Sequence, residues 1–234
     1  EPSEALKEYV QTLVKRAEKI RSGGVRSNQD NMLKVTSDGR KAALDMRLVN
    51  PWGEVCEGGK IQLCAQNVYK IWDQFAEQRG TQLVFCDLST PRDDGGFNAY
   101  ACLRELLIER GIPSNEIAFI HDYNTDAEKA SLFKEVREGI KRVLVGSTEK
   151  MGVGTNVQDL LVAVHHLDSP WRPSDLEQRN GRIVRQGNKF SEVWIYTYLT
   201  KGSFDAYMYQ ILHTKARFIA QVMHGNASMR TVED

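Results

Sequence analysis

Apolar residues along the chain recur at two periods, and the way these periods alternate sets the fold class. Over residues 4–21, Leu6, Val10, Leu13, Val14, Ala17 and Ile20 form a helical stripe, which Gly23 and Gly24 end. After the polar stretch SNQDN, a second helix is expected around residues 40–49, stopped by Pro51. From residue 60 onward helical and strand-like stretches take turns. Helices are expected over 60–79 (closed by Gly80), 97–110 (closed by Gly111), 126–138 (starting near Thr125), 174–186 and 203–223. Apolar β-type runs lie between them at 82–89, 117–121, 142–147, 161–168 and 193–200. Short apolar strands alternating with helices predict an α/β domain, a parallel sheet with helices on both faces, plus N-terminal and C-terminal helices. Trp194, Tyr196 and Tyr198 alternate at period two and should cover one face of that sheet.

Composition narrows the classes. A hydrophobic fraction of 41% is ordinary for a globular protein with a real core. No apolar run approaches the roughly 20 residues of a membrane span, and the charged opening EPSEALKEYV is no signal peptide. The chain opens on Glu1 without a Met, as a piece of a longer polypeptide would. Its 31 basic and 31 acidic residues give a formal net charge of zero. A stand-alone nucleic-acid binder usually has a basic excess, so any such contact here needs a local patch or a groove shared with another domain. Cys56, Cys64, Cys86 and Cys102 form no CxxC pair and read as the reduced thiols of a cytoplasmic protein.

In a parallel sheet, ligands gather where strands end and loops enter helices. Two segments lie there: STEKMGVGTN (147–156) and PWRPSDLEQRNGRIVRQGN (170–188). In the second, Ser174 followed by Glu177 reads as a capping box, so a helix is expected to begin at about Asp175 and to end at Gly187. On that helix Gln178, Arg182 and Arg185 would share one narrow stripe, while Ile183 and Val184 point elsewhere. Such a stripe suits an anion, because the arginine fork stays charged and can bond two phosphate oxygens at once. Taken alone, the same string is more often a solvated basic face. In the first segment, Gly152 and Gly154 are separated by one residue after a strand, which lets backbone amides approach a phosphate or sugar closely. By itself that is equally an ordinary Gly-rich turn, and no GxxxxGK[ST] loop occurs anywhere in the chain.

Together the segments resemble a known pattern. LVGSTEKMGVGTN followed by HLDSPWRPSDLEQRNGRIVRQGN is similar to helicase motifs V and VI of Swi/Snf-type ATPases, in order and at similar spacing. GTQLVFCD resembles motif IV, GGKIQLCAQNVYKIW the helix before it, and YLTKGSFDAYMYQ the strand and helix that follow motif VI. The likeness covers about residues 40–223, and DNMLKVTSDGRKAALDMRLVNP resembles the large helicase–methylase polypeptides of phages and mobile elements. There are two departures: Gly181 stands where many members have an acid, and Asn188 replaces a terminal Gln.

The resemblance implies the C-terminal RecA-like lobe of a superfamily-two helicase or DNA translocase, at residues 40–234, with residues 1–39 as an extension from a preceding lobe. In such enzymes ATP lies between two lobes, and the first supplies the Walker A lysine and the acids that hold Mg2+. By the same likeness, Arg182 and Arg185 are arginine fingers, and Gln178, Gly154 and Asn156 contact the nucleotide. Ser147, Thr148, Lys150 and Trp171 would meet the DNA backbone on the opposite rim. For Trp171 the competing expectation is an aromatic stacked on Pro173. The implied partners are the first lobe, double-stranded DNA and a methylase or restriction module, and the lobe alone is expected to be inactive. Two other readings stay open: a lobe of a strand-separating DNA or RNA helicase, and a non-catalytic RecA-like interaction module. At the strand end His165-His166, one histidine should face in and one out by alternation, and no metal site is expected there; no catalytic pair is expected at His121-Asp122.

Overall fold

The computed structural model describes residues 1–50, 53, 58–91, 95–152, 155–184 and 186–228. Helix α1 (Glu4–Arg21) matches the first apolar stripe, and Ser3 caps it by accepting the Leu6 N–H. Helix α2 (Met32–Leu44) starts earlier than its apolar pattern suggests. Asn31 accepts the Lys34 N–H as N-cap and pulls the start back, while Gly39, a helix breaker on paper, sits mid-helix. A Cβ there would lie 3.2 Å from the Phe204 ring, so Gly39 is where the C-terminal helix crosses close to α2. The expected division between residues 39 and 40 falls inside this helix. The polar stretch before α2 is tied down: Arg16 binds Asp30 through Nε and Nη2 and Asp38 through Nη1, at 2.8–2.9 Å.

Helix α3 (Lys60–Gln74) stops short of Gly80. Arg142, 1% exposed, reaches its C-terminal end and donates to the carbonyls of Trp72, Phe75 and Gly80, satisfying acceptors that a helix end leaves open. Then follow β1 (Thr81–Phe85), α4 (Ala99–Glu109), β2 (Ile117–Phe119), α5 (Asp126–Arg137), β3 (Val143–Gly146), the short α6 (Thr148–Gly152), β4 (Leu161–His166), α7 (Pro173–Asn180), β5 (Trp194–Thr197) and α8 (Phe204–Ser228). Thr125 and Glu128 close a reciprocal capping box at the start of α5.

The strands form one sheet in the order β2-β3-β1-β4-β5, every pair parallel. Alternation along β1 shows why the strands read as unbroken apolar runs. Val84 and Cys86 face a core built with α3 and α4, whereas Leu83 and Phe85 face one built with α5 and Met151 of α6. Trp194 and Tyr196 lie with Ile71 and Phe75 over one sheet face, as their period-two spacing predicts. At the end of β3 the packing demands a glycine: a Cβ on Gly146 would come within 2.6 Å of Ile120 and 2.7 Å of Met151. Lys60 and Asp205, both buried, pair across the core and clip the start of α8 to the start of α3. Among the described residues no helix is long and apolar enough to cross a membrane, and Cys64, Cys86 and Cys102 are free thiols.

Candidate functional site

Three strands of the sheet's centre end side by side, and each delivers a polar side chain to the same spot. β1 leads to Asp87, β3 to Ser147 and Thr148, and β4 to Asp168. A fully buried arginine from α7, Arg179, ties them together. Its Nε donates to Thr148 Oγ1 at 2.7 Å, and its Nη1 to the Asp168 carbonyl at 2.8 Å. Its Nη2 reaches Asp87 Oδ2 at 2.7 Å and Asp168 Oδ1 at 3.0 Å. Thr148 closes the ring, its N–H and hydroxyl donating to the two Asp87 oxygens at 2.6 and 2.8 Å. The other Asp168 oxygen accepts the backbone N–H groups of Asp87 and Leu88. Burial opposes the charge on Arg179, but the two carboxylates more than offset it and hold the guanidinium above its ordinary range. Such a network is costly to leave half-made, which accounts for its complete pairing.

Above this ring opens a cleft of about 730 Å3, lined by Thr90, His121, Ser147, Lys150, Asp175 and Gln178, with Asp87, Thr148 and Glu149. Lys150 and Glu149 are exposed, and Ser147 and Thr148 are buried in its wall. His121 packs edge-on against Tyr100, and its Nδ1 has no hydrogen-bond partner. Burial and nearby Lys150 hold its pKa below the ordinary histidine range. Gln178, expected on the opposite rim with the nucleotide residues, lines the same cleft as Ser147, Thr148 and Lys150.

Arg182 points elsewhere. It is 8% exposed and its Nη1 donates to the Thr155 carbonyl at 3.2 Å, while Arg137 holds the neighbouring Asn156 carbonyl at 2.7 Å. The Asn156 side chain is at the surface. Arg185 and Gly154, expected beside them, lie outside the described residues. Trp171 is 44% exposed and carries the Arg40 guanidinium over its ring at 4.3 Å, so its platform partner is a cation from α2. Arg40 also donates to the Ser169 carbonyl at 2.6 Å.

The local geometry of this segment differs from its sequence pattern in two ways. Helix α7 starts at Pro173 with Arg172 as N-cap and no side-chain cap bond, so Ser174 and Glu177 form no capping box. Proline fits the first helical position and pre-sets its φ, which moves Ser174 inside the first turn. The helix then ends at Asn180, before Gly181, and the Arg182 N–H bonds back only three residues, to Arg179. Arg182 therefore leaves the axis of α7, and the expected stripe with Gln178 is broken. Asn188 is structural: its side-chain amide donates to the Leu161 carbonyl at 2.8 Å.

His165 and His166 are both buried rather than split between core and solvent, because helices cover both sheet faces. His165 bonds Tyr198 and Gln82, and His166 bonds Asn180. Among the described residues, no three His, Cys, Asp or Glu side chains converge so as to hold a metal ion. Asp87 and Asp168 are committed to Arg179 and backbone donors, so this donor set does not suit Mg2+. Arg179, Asp87 and Asp168 are the residues that sequence reasoning passed over. The available signal was an acid placed directly after each of two apolar strands.

The profile of the helicase conserved C-terminal domain matches residues 63–187. The defense against restriction protein B of Escherichia phage P1 is 34% identical over 94 residues, 40% of this chain and 4% of that protein. An uncharacterized ATP-dependent helicase of Bacillus subtilis (strain 168), YqhH, is 34% identical over 95 residues, 41% of this chain and 16% of that protein. The chain thus spans a small part of both relatives. Among solved structures, the C-terminal part of the Fun30 ATPase domain aligns at TM-score 0.48 and 19% identity, over 63% of this chain and 44% of that one. The DUF1998 helicase MrfA bound to DNA aligns at TM-score 0.47 and 16% identity, over 67% of this chain and 20% of that one. With the profile running from α3 through β4 to Gly187, over more than half of the chain, the chain belongs to the helicase conserved C-terminal domain family.

Proposed function

We propose that this chain is the second motor lobe of an ATP-dependent translocase on double-stranded DNA, completed by a first lobe with the Walker A lysine and the Mg2+ ligands. The observation that carries the reading is the grouping of polar and basic side chains at the strand ends. Ser147, Thr148 and Lys150 line an open cleft, and Arg182 stands beyond α7 against the loop that follows α6. Contacts of the first kind, made by hydroxyls, backbone N–H groups and one cation, grip phosphates without reading bases, which suits a motor that steps along DNA. Arg182 and Arg185 would act on the γ-phosphate as charge develops in the transition state. Gly154 and Asn156 would support the nucleotide contact, Gln178, expected with them but lining the cleft, would join the phosphate track, and Trp171 would extend it. Lys150 shares the cleft lining with Asp87, Glu149 and Asp175. One cation among acids makes a partial track, so the first lobe supplies the rest of the positive charge.

Residues 1–39 are assigned to an extension from the first lobe. The name of the phage P1 relative, a defense against restriction, supports placing the parent polypeptide beside a methylase or restriction module. A second reading, strand separation on DNA or RNA, is favoured by Gly181 in the GRxxR form of the arginine segment. Displacement of a triplex-forming third strand by the two-lobe polypeptide and ATP separates the two. Translocation predicts third-strand release from intact duplex with no unwinding of a forked duplex. Unwinding of the fork without third-strand release would overturn the translocase reading in favour of the helicase.

A further inference from the structure

We infer that Arg179 is a positioning residue that couples the cleft wall to the arginine segment, so that what occupies the cleft alters how Arg182 is held. The inference rests on the motor-lobe reading for the identity of the two ligands, duplex DNA and ATP, and on geometry for the link between them. At one end of the link, Asp87 and Thr148 are lining residues of the cleft, and both are bonded to the Arg179 guanidinium. At the other end, the Arg179 backbone carbonyl accepts the Arg182 N–H.

Between the two ends nothing is loose. Arg179 has no exposure, and its head lies over the Phe85 ring with its centre 5.3 Å from the ring centroid. It engages one residue after each of three adjacent strands, so a shift of Thr148 cannot be absorbed by rotation of a free side chain. Interiors packed in this way transmit small displacements instead of damping them. The Arg182 side chain returns the connection to the same loop system, donating to the Thr155 carbonyl beyond α6. The path runs from Thr148 through the buried Arg179 to Arg182 and on to the Thr155 carbonyl.

The role differs from that of an arginine finger. Arg179 has no route to a nucleotide, since its guanidinium is fully buried and occupied by Thr148, Asp87 and Asp168. It acts through Thr148 on one side and Arg182 on the other. Such coupling is a free energy shared between two binding events, and it is reciprocal: nucleotide changes DNA affinity by the same factor as DNA changes nucleotide affinity.

The test measures that factor in the two-lobe polypeptide. A labelled duplex of about 30 base pairs is titrated with and without adenylyl imidodiphosphate, the non-hydrolysable ATP analogue, for wild type, Arg179→Lys and Asp87→Asn. Couplings of this kind are typically 5–150-fold. The inference predicts a wild-type factor in that range, reduced to within about twofold of unity in both variants, while each ligand alone still binds. A merely structural role would weaken both ligands and leave their ratio at the wild-type value, which would overturn the inference. Asp87→Asn leaves Asp168 on Arg179 and keeps the test decisive if Arg179→Lys does not fold. Variants that retain full coupling overturn the inference alone. A wild type that binds neither duplex nor analogue overturns the motor-lobe reading and this inference with it.

Discussion

Arg182→Ala in the two-lobe polypeptide is expected to lower the maximal rate of duplex-stimulated ATP turnover by on the order of 10³-fold, with a much smaller effect on the KM for ATP. The magnitude follows from the assigned role. A guanidinium that meets charge developing on a transferring phosphoryl group stabilises the transition state more than the ground state, and only such an interaction raises kcat. The Arg182 bond to the Thr155 carbonyl is 3.2 Å, at the long end for N–H···O, and a phosphate oxygen forms a stronger, charge-assisted bond. Arg182→Lys separates charge from geometry, since lysine keeps the charge and lacks the planar fork. A turnover loss below about tenfold in Arg182→Ala would remove Arg182 from the catalytic role, because roughly 1.4 kcal/mol is what a single ordinary contact supplies.

The second large effect is on stability. Lowering the pH from 7 to 5 is expected to destabilise this domain by on the order of 4 kcal/mol through two residues, His165 and His166. Burial pushes the His165 pKa down to about 3 and the His166 pKa down to about 4, from an ordinary 6.5. Burial holds both neutral, helped at His166 by the nearby Arg179 charge. Gln82 accepts from His165 Nε2, and Tyr198 donates to its Nδ1, a hydroxyl that also accepts from Asn67. Asn180 accepts from His166 Nε2. Because the folded pKa values lie below the unfolded value, the unfolded chain takes up protons first as pH falls. The stability these groups contribute is therefore present above about pH 6.5 and lost progressively toward pH 4, at about 1.4 kcal/mol per residue per pH unit. Set against a typical total of roughly 5–15 kcal/mol, the loss is a large fraction. Urea unfolding at pH 7, 6 and 5 measures it. His165→Gln, which keeps a donor and an acceptor, is expected to halve the slope. A slope unchanged in that variant would assign the acid sensitivity to other groups.

How much of this was legible in the sequence depends on the distance over which each feature is decided. The sheet was legible because β1, β3 and β4 carry apolar residues at consecutive positions, and only strands covered on both faces do so. The start of α5 was legible at Thr125, where cap and helix are four residues of one chain segment. The start of α7 was misleading although it is just as local. Ser174 and Glu177 have the spacing of a capping box, but Pro173 takes the first helical position and leaves the serine nothing to cap. Helix α2 was placed too late because its start is set by the Asn31 cap in a polar stretch, and the contact that requires Gly39 within it, Phe204, is far along the chain. The histidine pair was misread by strand alternation alone, since burial of the second face is decided by Asn180 and α7.

The site divides in the same way. Residues grouped in the two loop segments were visible as groups. Their partition was not, because Gln178 turns toward Ser147 and Lys150, whereas Arg182 leaves α7 and turns toward Thr155. Arg179 was invisible as anything but one more cation in a basic run. Its two acids come from other strands, Asp87 being 92 residues away, and only the parallel register that aligns the ends of β1 and β4 brings them together.

The most direct test of the central claim is steady-state ATP turnover by the wild-type two-lobe polypeptide, with and without duplex DNA. The motor-lobe account predicts turnover that rises severalfold or more on adding duplex and collapses in Arg182→Ala. Turnover that is absent under every nucleic acid, or present and indifferent to duplex, would contradict it and leave this chain a RecA-like interaction module or a lobe serving another substrate.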